Sequence, residues 1–141
     1  MKLSTRTRYG TRLLCDLARH FQNGPVQIGA VARRQNISVK YLEQIIRPLK
    51  QAGLITSVRG PKGGHVLVKP PEEISIGEIV RLLENGADLV GCVSNPENCE
   101  KSDDCRVRLV WQDGTRAMYE KLDSIKISDL VSSADSAKKP C

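Results

Sequence analysis

Three cysteines share one short polar stretch, GCVSNPENCEKSDDC, at positions 91–105. Their spacing is Cys92-x6-Cys99-x5-Cys105. Cysteines used for packing are scattered through apolar segments, whereas these stand among Asn, Pro, Glu, Ser and Asp. Thiolates converging from one polar loop suit a soft metal or an iron–sulfur cluster. A structural zinc site typically uses CxxC-like pairs and four ligands. Here the intervals are longer, and the local candidates for a fourth ligand are Glu97, Glu100, Asp103 and Asp104. Asp103 and Asp104 equally suit the N-cap of a helix starting after Cys105. An iron–sulfur cluster, with its tolerance of irregular spacing and of a non-cysteine ligand, fits best; zinc and thiol–disulfide switching stay open. Of the other two cysteines, Cys15 falls in an apolar helical pattern and reads as packing. Cys141 lies in a terminal run, SSADSAKKPC, and reads as incidental. Five thiols are an odd count, which argues against a complete set of intrachain disulfides.

A second group of residues points to nucleic acid. The stretch SVKYLEQIIRPLKQAGLITSVRGPKGG covers positions 38–64. Ser38 suits an N-cap. Leu42, Ile45, Ile46, Leu49 and Ala52 form a stripe at helical spacing, while Lys40, Tyr41, Gln44 and Arg47 lie on the other face. Pro48 inside this helix predicts a kink in its last turn. Gly53 suits the left-handed stop. Leu54 to Val58 and His65 to Val68 read as two strands around a cationic, glycine-rich tip. Helix, hairpin and basic tip together are the layout of a winged helix-turn-helix. The preceding short helix over 27–35 and the turn at Asn36-Ile37 complete the helix-turn-helix pair.

The charge distribution agrees. Residues 1–70 hold 13 Lys and Arg against 2 acids, net +11; residues 71–141 hold 9 against 14, net −5. A basic half joined to an acidic half suggests that one part faces a polyanion. The cations are not gathered on one amphipathic helix opposite bulky aromatics, so a membrane surface is the poorer partner. No long apolar run and no secretory core segment are evident, and the expected compartment is the cytoplasm. An enzyme or electron carrier is disfavoured: no acid–base pair accompanies the cysteines, and GPKGG lacks phosphate-loop spacing.

The remaining elements must position these groups. Residues 5–21 predict a helix with Tyr9, Leu13, Leu14, Leu17, Ala18 and Phe21 inward and Arg6, Arg8, Arg12 and Arg19 free to reach phosphates. Ser75-x-x-Glu78 predicts a capping box opening a helix that ends at Asn85-Gly86. From Arg106 a long helix carries Val107, Trp111, Gly114, Met118, Leu122 and Ile125 on one stripe, read as a dimerisation surface. The expected fold is mainly α with a small β-hairpin wing: a winged helix-turn-helix plus a long C-terminal dimerisation helix. The expected divisions are a DNA-binding unit at 1–70, a supporting helix and connection at 71–91, the cysteine loop at 92–105, the dimerisation helix and a short C-terminal helix at 106–131, and a disordered tail at 132–141.

The recognition-helix and wing motif, the ISIGEIVRLLE helix and the three-cysteine loop together resemble the Rrf-type winged-helix transcription regulators, over about residues 1–131. That family includes the iron–sulfur regulators IscR and NsrR. The resemblance implies a homodimeric bacterial regulator on a pseudo-palindromic operator of double-stranded DNA, and the expected action is that of a repressor gated by redox, nitric oxide or cluster status. It implies Ser38, Val39, Lys40, Tyr41 and Gln44 at the major groove, and Arg59, Gly60, Pro61, Lys62, Gly63 and Gly64 at the wing. It implies a [2Fe–2S] or [4Fe–4S] cluster on Cys92, Cys99 and Cys105. Two departures stand out. IscR-like members have a histidine two residues after the third cysteine, where this chain has Val107. NsrR-like members can use an acid on the partner's first helix, where this chain has Arg8.

Overall fold

The computed structural model of the chain describes residues 2–86 and 88–134. Its elements run α1 (Thr5–Arg19), α2 (Ile28–Gln35), α3 (Val39–Gln51), β1 (Ile55–Val58), β2 (Gly64–Leu67), α4 (Ile76–Glu84), a short α5 (Gly91–Ser94), α6 (Arg106–Asp123) and α7 (Ile127–Ala134). A 3-10 turn at Pro71–Glu73 precedes α4, and another at Pro96–Asn98 follows α5. The mainly helical fold with one antiparallel hairpin is the expected winged helix-turn-helix with a long helix behind it. No described helix is long and apolar enough to cross a membrane.

The core forms where α1, α3 and α4 bring their apolar faces together. Leu13, Leu14 and Leu17 of α1 meet Leu42, Ile45 and Leu49 of α3 and Ile79 and Leu83 of α4, all buried. Gly10 permits this approach, because a Cβ there would overlap the Leu83 side chain. Cys15 is buried in the same core, as a packing thiol should be.

Helix α3 follows its sequence signals closely. The Ser38 hydroxyl accepts from the Tyr41 amide at 3.2 Å. At the other end Gly53 takes φ +72°, and the Leu54 and Gly53 amides return to the Leu49 and Lys50 carbonyls. That pair of bonds is the Schellman stop. The helix runs on through Pro48 without interruption to Gln51.

Helix α1 is tied to the helix-turn-helix by a polar network around one buried acid. Asp16 is 1% exposed. It accepts from Arg34 Nε at 3.0 Å and Nη2 at 2.5 Å, and from Gln35 Nε2 at 3.0 Å. Arg12 in turn donates to the Gln35 side-chain oxygen at 3.0 Å and to the Gln35 carbonyl at 2.7 Å. Arg12 is therefore an internal clamp rather than a free phosphate ligand: the carbonyl it holds ends α2, where the left-handed Asn36 starts the turn. Burial alone would push the Asp16 carboxyl up. Hydrogen bonds from Arg34 and Gln35 and the Arg34 charge override that and hold it below the usual carboxylate value.

The C-terminal helices differ from expectation in three ways. Only the serine half of the capping box forms: Ser75 Oγ accepts from the Glu78 amide at 3.0 Å, while the Glu78 carboxylate accepts from Lys69. The predicted stripe of α6 does not act as one surface. Ile125 lies beyond the helix, where its carbonyl accepts from the Ile76 amide at 2.9 Å. Gly114 admits Leu89 of the same chain, and Thr115 Oγ1 accepts from the Leu89 amide at 3.3 Å. Helix α7 also continues through 132–134, where the sequence suggests a tail, with Ser132 Oγ bonded to the Ser128 carbonyl. The rest of that expected tail, with Cys141, lies outside the described residues.

The end of α6 is fastened to α4. Arg81 makes two parallel bonds of 2.7 Å to Asp123, and its guanidinium lies 4.1 Å from the Tyr119 ring centre. The Ile127 amide donates to the Ile74 carbonyl at 2.9 Å. Gly77 is required beneath them, since a Cβ would overlap the Asp123 carboxylate. Helix α7 then packs back on α1.

The Asp16 network carries a stability prediction. Arg34→Ala leaves the buried carboxylate with Gln35 alone and should lower unfolding free energy by roughly 2 kcal/mol, the scale of a charged hydrogen bond partly open to water. A depressed native pKa contributes stability above the unfolded carboxyl value, near 4, and that contribution disappears as pH falls through the native value. Denaturant titrations between pH 3 and 7 should therefore show a shallower acid loss in Arg34→Ala; equal stability and equal pH dependence would remove Asp16 from this role.

Candidate DNA-binding surface and cysteine segment

The first turns of α3 project from the body of the domain. Ser38, Val39, Lys40 and Gln44 are exposed. Tyr41 is half-buried, because its ring meets Tyr9 of α1 edge-on at 5.8 Å and 88°. Arg12 lies 5.5 Å from the centre of that Tyr9 ring. The network that begins at Asp16 thus reaches the exposed face of α3 through the Arg12, Tyr9 and Tyr41 side chains. Arg6 of α1 lines a shallow groove with Gln44, Arg47 and Pro48.

The wing follows from its strand pairing. Ile55 pairs with Leu67 and Val58 with Gly64. Val26 adds a bridge on the far side of β2, with its amide 2.9 Å from the His65 carbonyl and its carbonyl 2.8 Å from the His65 amide. The tip turns through Gly60 at φ +113°, with the Gly63 amide donating to the Gly60 carbonyl at 2.9 Å. Arg59, Gly60, Pro61 and Lys62 are exposed. Gly63 is buried and Gly64 half-buried. A Cβ on Gly63 would overlap the Val58 carbonyl, and one on Gly64 the Val26 carbonyl. These two glycines allow a close approach of backbone to backbone that a side chain would block.

His65 is half-buried against β1, with Nδ1 3.2 Å from Ser57 Oγ. Ser57 Oγ also accepts from Lys50 Nζ of α3 at 2.8 Å. Burial and the Lys50 charge hold the His65 imidazole below its usual pKa. Neither this relay nor the Asp16 network carries a motif; each joins residues whose proximity arises only on folding.

The cysteine segment is a series of short turns. Cys92 lies in α5 and is half-buried. Cys99 follows the Pro96–Asn98 turn and is exposed. Cys105 is half-buried and takes the N-cap position of α6, with no side-chain capping bond. It occupies the place expected of Asp103 or Asp104, both of which are exposed. Arg108 spans the segment, donating to the Cys92 carbonyl at 2.9 Å and towards the Ser102 carbonyl at 3.5 Å. All three thiols are free. Among the described residues, no three His, Cys, Asp or Glu side chains are gathered closely enough to hold a metal ion. The donor set fits a thiophilic centre in type and supplies three of the four ligands a cluster takes, while its members stand apart along the segment.

The outer half of α6 begins at this segment and is uncovered. Val107, Leu109, Val110 and Trp111 are 57%, 58%, 61% and 40% exposed. The inner half packs on α4 of its own chain.

Comparison with known proteins places this architecture. A family model described as "Rrf2: Iron-dependent Transcriptional regulator" matches residues 3–133. Protein rrf2 of Nitratidesulfovibrio vulgaris is 43% identical over 139 residues, spanning 99% of this chain and 93% of that protein. The solved structure of IscR from T. potens is similar with a TM-score of 0.78 and 36% identity, covering 97% of this chain and 90% of that one. The oxidized form of CymR from Staphylococcus aureus is similar with a TM-score of 0.72 and 37% identity, covering 93% and 96%. In its helix-turn-helix, its wing, its long C-terminal helix and its sequence, the chain belongs to the Rrf2 family of transcription regulators.

Proposed function

We propose that the protein acts as a homodimer, that it binds a pseudo-palindromic DNA operator as a repressor, and that an iron–sulfur cluster held by Cys92, Cys99 and Cys105 sets its DNA affinity. The observation that carries this reading is one of placement. Three free thiols occupy the single segment that leads into α6, and the outer half of that helix presents an uncovered apolar face. A cluster bound there, as [2Fe–2S] or [4Fe–4S], supplies redox chemistry and reactivity towards oxygen or nitric oxide.

The chain's own residues supply the rest. Lys40 and Gln44 offer hydrogen-bonding groups of the kinds that read base edges in a major groove. Arg59 and Lys62 offer cations at the wing, where phosphate or minor-groove contact releases counterions. Val107, Leu109, Val110 and Trp111 suit burial against a second copy. Arg108 links the cysteine segment to α6, so a change in that segment is felt by the helix at once. Only a difference in DNA affinity between the two states makes such a change a switch.

A second reading is thiol–disulfide switching. It is favoured by the three free thiols of one segment and by the likeness to CymR, a protein solved in an oxidized form.

Anaerobically purified protein should contain iron and acid-labile sulfide in near-equal amounts, lost in Cys99→Ala, and the loaded and metal-free forms should differ in operator affinity at one salt concentration. Zinc alone or no metal would favour the thiol reading, and equal affinities would end the gating proposal. Arg59→Ala should weaken operator binding with dimer and metal content unchanged, as read by fluorescence anisotropy; wild-type affinity would take the wing out of the interface. Val110→Glu should sediment as a folded monomer, and an intact dimer would place the interface elsewhere.

A further inference from the structure

The recognition helix and the wing do not lie flush. Between them runs a groove of about 420 Å3. Ile28 and Ile46 give it apolar surface, and Arg47, Lys50 and His65 line it with cationic or ionisable groups; Glu43 is the acid among its lining residues. Arg47 also lines the neighbouring groove with Gln44 and Arg6, so the two grooves flank one face of α3.

We infer that this groove receives a phosphate of the DNA backbone, with Lys50 as its ligand and the wing hydroxyl of Ser57 holding the ammonium in place. The inference rests on the operator-binding reading and adds an anchor that the exposed tip and the first turn of α3 do not supply. Lys50 is exposed, yet its side chain is tethered to β1 through the 2.8 Å bond to Ser57. An ammonium has three donors, so two remain for a ligand. No described carboxylate lies within ion-pair distance of it. A cation held by a neutral partner and unmatched by an acid is ordered before an anion arrives, which reduces the entropy cost of binding it.

The state of His65 agrees with this arrangement. Its imidazole is disfavoured from charging, so Nδ1 can accept from the Ser57 hydroxyl while that oxygen accepts from Lys50. One hydroxyl then joins α3, β1 and β2. The same three residues bridge the recognition helix and the wing, so a phosphate in the groove would lie against both.

The test is a salt series of binding to the operator and to a scrambled duplex of the same length. Lys50→Gln should weaken both duplexes by the same factor. The slope of log K against log salt should become shallower by about 0.9 for each phosphate that is no longer neutralised, and so by about 1.8 for a dimer. Lys50→Arg should retain the slope. Ser57→Ala should keep the slope and reduce affinity, because the cation remains but is no longer tethered. A Lys50→Gln slope equal to wild type, or a weakening confined to the operator, overturns the inference. Full affinity in Ser57→Ala overturns the part assigned to the hydroxyl. If wild type binds neither duplex, it is the operator reading that fails first.

Discussion

The buried carboxylate of Asp16 is the constraint on which the DNA-facing half depends. An unpaired charge in that position would be very costly to bury. The protein satisfies it from α2, with Arg34 and Gln35, and then extends the network back to α1 through Arg12. Because the Gln35 carbonyl is the last of α2, the turn into the recognition helix inherits its position from an acid one helix away. Apolar packing alone leaves two short helices some freedom to slide, since it is non-directional. Directed bonds to a fixed carboxylate remove much of it.

The wing is positioned by a different means. Its outer strand is short, but β2 is paired on both sides, to β1 and to Val26. Gly64 makes that second pairing possible by having no side chain. The wing and the start of α2 therefore share backbone bonds, and the tip cannot shift without disturbing the helix-turn-helix. Polar side chains set one boundary of the DNA-binding unit, and main-chain pairing sets the other.

Local features are readable from the residues alone. Ser38, the apolar stripe of α3 and Gly53 form a complete set of start, face and stop signals, and the β-branched run after Leu54 predicts the hairpin. What escapes such reading is tertiary. Asp16, one of two acids in the basic half, resembles any solvated residue until Arg34 is brought beside it. Lys50, Ser57 and His65 likewise meet only after the hairpin closes. The stripe of α6 shows a different limit: periodicity says that residues share a face, but not that Gly114 will meet Leu89 while Val110 stays uncovered by its own chain. For the cysteines, the sequence identifies donors by type and interval, whereas convergence depends on a backbone that here holds them apart.

Helix α6 has one further property. Its 18 residues make a rod about 27 Å long. One end is riveted at Arg81 and Asp123; the cysteine segment sits at the other. Turning such a rod by about 5° about its fixed end sweeps the free end through roughly 2 Å. That exceeds the tolerance of a hydrogen bond. If two copies were joined along the outer halves of these rods, the same angle would be geared into a comparable shift between their recognition helices, with no rearrangement inside either core.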